Sequence, residues 1–295
     1  MRSQSFPSSF TRTLPGIFAA SVLALSASHV AAQQGATQMQ PQPAPASVNQ
    51  QAIDSGIAED AGVAGALAVF RTRVAELNKP IARLDSAIEK RGIGGGALGN
   101  FVADAMRAEA SRRTRRRVPF AVVNTGGIRK NSIAAGALTE ADIYEMLPFE
   151  NALVVVELAG EQLLRLLDEV TKARDAQGGT IVTFTADADD RNPRFVSAVL
   201  EPTGGRRNRP IKPTATYTIV TLDYLIERGG NYAVLKDAKR KQPLNVVLRD
   251  AVIEHLRGET ARGRGVSGEL DGRFRRAAHN ATNAAATVHA RGGKQ

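Results

Sequence analysis

The chain has 295 residues, no cysteine and a formal net charge of +10. Because disulfides are excluded, a domain of this size must be stabilised by a packed core. The charge is concentrated: residues 107–117 hold six arginines against one glutamate, and residues 258–295 hold seven lysines and arginines against three acidic residues. The remainder is close to neutral, which speaks against a fold that is basic throughout. The two basic segments either bind polyanions or anionic membranes weakly, or are simply solvated.

The N-terminal residues 1–32 have the pattern of a secretory signal peptide. Arg2 and Arg12 supply positive charge, residues 14–27 form an apolar run, and small residues ending at Ala32 fit a signal-peptidase site. We expect cleavage near Ala32 and an exported protein, periplasmic or extracellular. A retained N-terminal anchor is the weaker alternative, since the apolar run is short for a bilayer span.

Three further segments are predicted after the signal peptide. Residues 33–62 are rich in glutamine, proline and alanine and form a disordered linker. Residues 63–258 form the folded domain. Residues 259–295, with many glycines and arginines and few large apolar residues, form a basic disordered tail.

Within the folded domain, helical and strand patterns alternate. Predicted helices cover residues 64–78, a stripe from Leu98 to Met106, a short helix or turn from Thr139, a segment after Gly160, and Val247 to Leu256. Predicted strands cover Phe120 to Val123, Leu153 to Leu158, and residues 180–185, 194–201 and 216–223, with a short strand or irregular segment between Pro80 and Ile88. Several strands follow one another, which favours an α+β fold.

The most informative motif follows the predicted strand Phe120 to Val123. It reads Asn-Thr-Gly-Gly-Ile-Arg over residues 124–129, and Leu-Pro-Phe-Glu-Asn follows at residues 147–151. Two adjacent glycines let the backbone approach a ligand closely. An amide, a guanidinium and an aromatic face suit a flat, polar-edged heterocycle that carries a sugar. No catalytic group is evident beside them.

These motifs resemble the C-terminal domain of the 5'-nucleotidase family. The resemblance covers about residues 66–257 and rests on four pieces that occur in the family's order: Leu98-Gly99-Asn100 with Ala103-Asp104-Ala105, residues 124–129, residues 147–151, and residues 217–224 followed by Gly229-Gly230-Asn231-Tyr232. It implies an α+β fold with a mixed sheet packed with helices, and a nucleotide or nucleoside as the ligand.

The resemblance also implies which residues bind the nucleoside. Phe149 and Tyr224 would clamp the base, and base–aromatic stacking contributes about 1–3 kcal/mol per base. The loop that contacts base or ribose would consist of Asn124, Gly126, Gly127 and Arg129. Read without the resemblance, Phe149 is better explained as a core aromatic beside the next strand.

This chain departs from the family pattern in two places, the first of which is where the family holds the ribose. The family often has an acidic residue after Gly-Gly, and here Asn231 occupies that place, so a charged acceptor is absent there. The family also tends to have a glutamate and an arginine before Leu-Gly-Asn, where this chain has a glycine-rich stretch and Arg91 as the nearest stand-in.

A metal centre is not expected in this chain. Family members hydrolyse phosphate esters with a separate N-terminal domain that binds two metal ions, which needs several converging histidine, aspartate and asparagine ligands. Of the four histidines, His29 lies in the signal peptide, His279 and His289 lie in the tail, and His255 is predicted on a surface turn of the last helix. We expect no catalytic residue, and two divalent metals only in a separate partner.

Three functions remain open from the sequence. The first is nucleotide catabolism, in which this chain binds the nucleoside while a separate metallophosphoesterase chain cleaves the phosphoester. The second is a catalytically inert exported protein that binds nucleotides or nucleosides. The third is an interaction module in which residues 112–117 and the basic tail dock onto anionic surfaces.

Overall fold

The computed structural model describes residues 52–202, 207–227 and 232–277. The predicted signal peptide, most of the predicted linker, Asn231 and residues 278–295 lie outside these residues. The chain divides into two units, residues 1–58 and 59–295. In the first, Asp54 accepts a hydrogen bond from the backbone N–H of Gly56 and forms a turn. The following description concerns the second unit.

Helices and strands alternate along the described chain. The helices are α1 Ala61–Leu77, α2 Gly96–Thr114, α3 Glu140–Met146, α4 Gly160–Ala173, α5 Asp223–Glu227, α6 Ala233–Lys236 and α7 Leu248–Ala261. The strands are β1 Pro80–Leu84, β2 Ile88–Glu89, β3 Phe120–Val123, β4 Ser132–Ile133, β5 Gly136–Thr139, β6 Ala152–Ala159, β7 Ala176–Gly178, β8 Thr180–Thr185, β9 Arg194–Leu200, β10 Arg209–Pro210, β11 Thr216–Leu222, β12 Arg240–Val247 and β13 Phe274–Arg276.

The central sheet has the strand order β12-β6-β11-β3-β7. Its inner strands are rich in valine, isoleucine and leucine and are buried on both faces, which is typical of strands covered on two sides. β11 runs parallel to β3 and antiparallel to β6, with Leu222 opposite Leu153. This register brings the end of β11 and the start of β6 to the same edge of the sheet.

A second sheet and two short strand pairs complete the β structure. The second sheet has the order β10-β9-β8-β13, and the pairs are β1 with β5 and β2 with β4. The mixed sheets packed with helices are those of an α+β fold, as predicted.

The helices cover the sheets through the apolar faces that the sequence predicts. α2 packs against β3, β7 and α7, and α4 packs against β9 and β6. The predicted stripes are buried: Leu98, Phe101, Val102, Ala105 and Met106 on α2, and Leu163, Leu166, Leu167 and Val170 on α4. No helix in the described ranges has the length and hydropathy that a membrane crossing requires.

The short helix predicted from Thr139 is confirmed as α3. Its first turn is closed by a capping box, in which Asp142 N–H donates to the Thr139 hydroxyl and Thr139 N–H donates to the Asp142 carboxylate. This reciprocal pair satisfies two backbone donors that the helix itself leaves free.

The prediction of a disordered tail from residue 259 is wrong for residues 259–277. α7 continues to Ala261, Val266 is buried, and β13 pairs in parallel with β8. The segment also contains Arg273, which is buried and forms ion pairs with Asp104 and Asp271. The remaining residues of the predicted tail lie outside the described chain.

Candidate functional site

The glycine motif forms a tight turn at the end of β3. Asn124 caps a 3-10 turn over Thr125–Gly127, and its carbonyl accepts from Gly127 N–H at 3.1 Å. The Asn124 side chain lies over Gly127, since a Cβ at Gly127 would be 3.4 Å from the Asn124 amide nitrogen. A side chain at Gly126 would be less restricted. The turn therefore presents bare backbone beside the Asn124 amide.

Asp175 stabilises this turn by accepting hydrogen bonds from Thr125. Its buried carboxylate accepts from Thr125 N–H at 2.7 Å, from the Thr125 hydroxyl at 3.0 Å and from the Tyr232 hydroxyl. Burial raises the pKa of the Asp175 carboxyl, and the donated hydrogen bonds only partly oppose this. Burial likewise raises the pKa of Tyr232, so its hydroxyl stays neutral and donates.

Lys90 stabilises the C-terminal end of the same turn through a hydrogen bond. Its ammonium group donates to the carbonyl oxygen of Ile128 at 2.6 Å, and the backbone N–H of Arg129 donates to Met146 at 2.8 Å. The turn is thus anchored at both ends by groups far away in sequence, which pre-organises it for a ligand.

Two aromatic rings face solvent next to this turn. Phe149 is 48% exposed and Tyr224 is 42% exposed, although large aromatic side chains usually bury most of their area. Asp223 links the two segments that carry them, because its carboxylate accepts from Ala152 N–H at 3.0 Å and from Tyr224 N–H at 2.7 Å. The start of β6 and the end of β11, which precede and carry the rings, are therefore tied together.

The turn and the rings line one cavity of about 310 Å³, near the lower limit for small-molecule sites. Its lining residues are Asn124, Gly126, Gly127, Phe149, Asn151 and Tyr224. The Asn124 side-chain oxygen is buried and has no hydrogen-bond partner among the described residues. Because an unpaired buried acceptor is unfavourable, this atom is suited to a donor on a ligand.

The structure separates the predicted site residues into three groups. It brings Asn124, Gly126, Gly127, Phe149 and Tyr224 into the cavity. Arg129 does not line it; the guanidinium is exposed and donates to the Gly126 carbonyl at 3.2 Å. Asn231 lies outside the described residues. Arg91, the stand-in for the family arginine, pairs with Glu89 at 2.5 Å and does not line the cavity either.

Two functional candidates were not predicted from the sequence. Asn151 lines the cavity, and its position at the end of the Leu-Pro-Phe-Glu-Asn motif is a signal that could have identified it. Asp175 had no such signal, since only the fold brings it to Thr125, 50 residues away along the chain. The alternative that Phe149 is a core aromatic is wrong, because nearly half of its surface is exposed.

His255 lies within α7, the last helix, as predicted, but it is partly buried rather than on the surface. It lines a polar cleft with Asp104 and Glu259. Burial lowers the pKa of His255, while Glu259 and Asp104 oppose the shift. Within residues 52–202, 207–227 and 232–277, no group of three or more histidine or acidic side chains could hold a metal ion. The residues described here do not fit the two-metal centre of a phosphoesterase.

A family model decides the relationship of this chain. The model for the 5'-nucleotidase C-terminal domain matches residues 73–237, more than half of the chain. This chain belongs to the 5'-nucleotidase C-terminal domain family. The match includes the glycine turn, both aromatic rings and Asp175.

Curated relatives and solved structures agree with this family. The chain is 29% identical over 185 residues to the trifunctional nucleotide phosphoesterase YfkN of Bacillus subtilis, a match that covers 60% of this chain and 12% of that protein. It is 28% identical over 185 residues to the cell wall protein Lmo0130 of Listeria monocytogenes, covering 60% of this chain and 23% of the relative.

Similarity to a solved structure extends over most of the chain. The 5'-nucleotidase precursor of Thermus thermophilus superposes with a TM-score of 0.61 at 24% identity, covering 72% of this chain and 42% of that one. At this identity the likeness shows the fold. The chain spans less than half the length of each of these relatives, and it corresponds to the C-terminal domain of nucleotide hydrolases.

Proposed function

We propose that this chain binds the nucleoside part of a nucleotide between Phe149 and Tyr224. It would act in nucleotide catabolism as the substrate-binding part of a 5'-nucleotidase-type phosphoester hydrolase whose metal centre comes from another chain. The observation that carries the proposal is the cavity itself, in which two half-exposed rings flank a buried amide oxygen without a partner.

Each part of the cavity matches a part of a nucleoside. The aromatic faces stack on the base, and such stacking depends little on base identity. The Asn124 oxygen accepts from a base amine or a ribose hydroxyl, and Asn151 offers a second amide. Gly126 and Gly127 allow close approach of the ligand to the backbone. Arg129 and Asn231 are proposed as further contacts to base or ribose.

Hydrolysis is assigned to a partner because the described residues offer no metal site. A separate metallophosphoesterase chain would supply both divalent metals, which activate the attacking water and stabilise the leaving phosphate oxygen. This chain would bind the nucleoside, orient it and exclude water from one side of it. Proximity of that kind is itself a large part of catalysis.

Mixing this chain with a phosphoesterase tests whether one chain binds the nucleoside while the other hydrolyses the phosphoester. An exported metal-dependent phosphoesterase without its own C-terminal domain is assayed for phosphate release from AMP, alone and with this chain. We expect a higher rate with the wild-type chain and no increase with Phe149→Ala. An unchanged rate with the wild-type chain would contradict the split-enzyme proposal.

An inert nucleotide-binding protein is the second candidate, because none of the described residues that line the cavity is a histidine or an acidic residue. The same reconstitution separates the two: ligand binding without any gain in hydrolysis would favour the inert protein.

Export remains part of the proposal and is supported by the relationship to a Listeria protein named as a cell wall protein.

The third candidate, an interaction module that docks onto anionic surfaces, is less well supported by the basic segment at residues 107–117. Arg112 and Arg113 both pair with the buried Glu109 at 2.6 Å, and Arg107 pairs with Asp104 and Glu201. Half of the arginines in residues 107–117 are therefore engaged within the fold, which reduces the charge available to a polyanion.

A further inference from the structure

The loop that carries Phe149 has few backbone contacts. Residues 147–151, the Phe149 loop, connect α3 to β6, and residues 148–150 are exposed. At the end of the loop, the Asn151 carbonyl accepts from Leu248 N–H at 2.8 Å. No backbone hydrogen bond joins residues 148–150 to the rest of the described chain. Backbone hydrogen bonds therefore do not fix the middle of the loop, where the ring is attached.

Arg249 is buried beside this loop without a hydrogen-bonded ion pair. It is the second residue of α7 and is 8% exposed, although arginine is rarely buried unless it is paired. Its Nε atom is buried and has no hydrogen-bond partner among the described residues. Carboxylate oxygens of Glu150 and Asp250 lie 3.8 Å from guanidinium nitrogens, which is beyond hydrogen-bond distance. Another contact must therefore account for its burial.

That contact is with the aromatic ring of Tyr144. The guanidinium carbon of Arg249 lies 4.2 Å from the centroid of this ring. A cation over an aromatic face is attracted to it, and a planar guanidinium stacks there better than an ammonium group does. The attraction is stronger when the groups are withdrawn from water, as the buried Arg249 and the half-buried Tyr144 are.

The contacts of Arg249 lie on both sides of Phe149 in the sequence. Tyr144 is in α3, before the Phe149 loop, and Glu150 directly follows Phe149. The Glu150 side chain is exposed, so its long ion pair contributes little, and the Tyr144 contact is the stronger of the two. Arg249 thus joins the helix before the ring to the residue after it.

We propose that Arg249 is a positioning residue for the nucleoside site: it holds the Phe149 loop between Tyr144 and Glu150 and so keeps the Phe149 ring in place to stack on a base. This inference rests on the proposed binding of a nucleoside by Phe149. Arg249 does not line the cavity, so it acts through the ring and not on the ligand itself. Its effect on binding must then disappear when the ring is absent.

Fluorine NMR of the full chain labelled with 4-fluorophenylalanine tests the position of the ring without any ligand. The resonance that disappears in Phe149→Ala belongs to Phe149. We expect Arg249→Met to shift or broaden this resonance. Arg257→Met is the matched control, because Arg257 also joins α7 to α3 but does so through an ion pair with Glu140, and it should leave the resonance unchanged. An unchanged Phe149 resonance in Arg249→Met would overturn the proposal.

A double-mutant cycle tests whether Arg249 acts through the ring. In calorimetric titration with adenosine, Arg249→Met should weaken binding by about 3- to 10-fold, and by no more than Phe149→Ala does. We expect no further loss when Arg249→Met is added to Phe149→Ala, and the full loss when it is added to Tyr224→Ala. Equal losses in both backgrounds would overturn the proposal, because they would reveal a general loss of structure.

Two further arms separate this proposal from the failure of other assumptions. A wild-type chain that does not bind adenosine would contradict the proposed function, and the fluorine resonance would still decide whether Arg249 positions the ring. Where Arg249→Met does not fold, Tyr144→Leu removes the same stacking contact and leaves the arginine in place. It should change the Phe149 resonance in the same way, and an unchanged resonance in Tyr144→Leu would likewise overturn the proposal.

Discussion

Asp175 and Thr125 form a two-point contact beneath the candidate site: the carboxylate accepts both the backbone N–H of Thr125 at 2.7 Å and its hydroxyl at 3.0 Å. The same carboxylate accepts from Tyr232, the first described residue after residues 228–231. Asp175 thus joins the glycine turn to the chain segment that follows the predicted contact Asn231.

Replacing Asp175 should separate the effect of its hydrogen bonds from that of its charge. Asp175→Ala leaves three donors without this partner, two on the partly buried Thr125 and one on the buried Tyr232, and should lower the free energy of unfolding by about 2–4 kcal/mol. Asp175→Asn keeps an acceptor for Thr125, and its amide can donate to Tyr232, so it should lose much less. Urea unfolding measures both variants. Equal losses for alanine and asparagine would contradict this account.

Arg273 should be among the most sensitive residues of the C-terminal segment. Burial alone would lower its pKa, but hydrogen bonds to Asp271 and Asp104 outweigh burial and raise it. Arg273→Met leaves the Asp271 carboxylate without its cation and leaves Asp104 with Arg107 alone, and it should cost about 2–3 kcal/mol. Arg275→Met, which removes only an exposed bond to Gly272, is the control and should stay within about 0.5 kcal/mol of wild type. Similar unfolding curves for the two variants would show that the ion pairs do not hold this segment.

This segment also shows where sequence reasoning reaches its limit. β3 and the apolar stripes of α2 and α4 were predicted correctly because their patterns are local, with periods of two or 3.6 residues. β13 was missed because its composition is that of a disordered tail. The contact that orders it joins Arg273 to Asp104 across 169 residues, which no local pattern contains.

In the candidate site too, residues in local motifs could be predicted and residues that depend on long-range contacts could not. Phe149 and Tyr224 could be identified because each lies in a recognisable motif at the end of a predicted element. Asp175 could not be identified in this way, because only the folded chain brings the residues after α4 into contact with Thr125 in the glycine turn. Arg129 was placed in the site by its motif, whereas the fold turns its guanidinium back to the Gly126 carbonyl.

His255 should make stability depend on pH near its ordinary pKa of 6.5. Its pKa is lowered in the folded state, so the unfolded state binds more protons as the pH falls through 6.5 toward the folded value. Stability is therefore highest above 6.5 and decreases below it. His255→Gln should show a smaller decrease across this window, measured as melting temperature at several pH values. Identical pH profiles for wild type and variant would refute the assignment.

Asn124 should affect ligand binding but not stability. Its buried oxygen has no partner among the described residues, so Asn124→Ala removes no hydrogen bond from the folded protein and should leave the melting temperature unchanged or slightly higher. A lost ligand hydrogen bond of about 0.5–1.5 kcal/mol should weaken nucleoside binding by about 2- to 10-fold. Asn131→Ala, at an exposed position outside the cavity, should change neither quantity. A large loss of stability in Asn124→Ala would contradict a ligand-directed role.

The nucleoside clamp is tested most directly by calorimetric titration of the purified chain with adenosine and AMP. Wild type should bind saturably, and Phe149→Ala and Tyr224→Ala should each weaken binding by about 5- to 150-fold, corresponding to about 1–3 kcal/mol of stacking. Val196→Ala, which truncates an exposed apolar side chain on β9, should bind like wild type. Absence of binding to wild type, or unchanged affinity in both aromatic variants, would contradict the account.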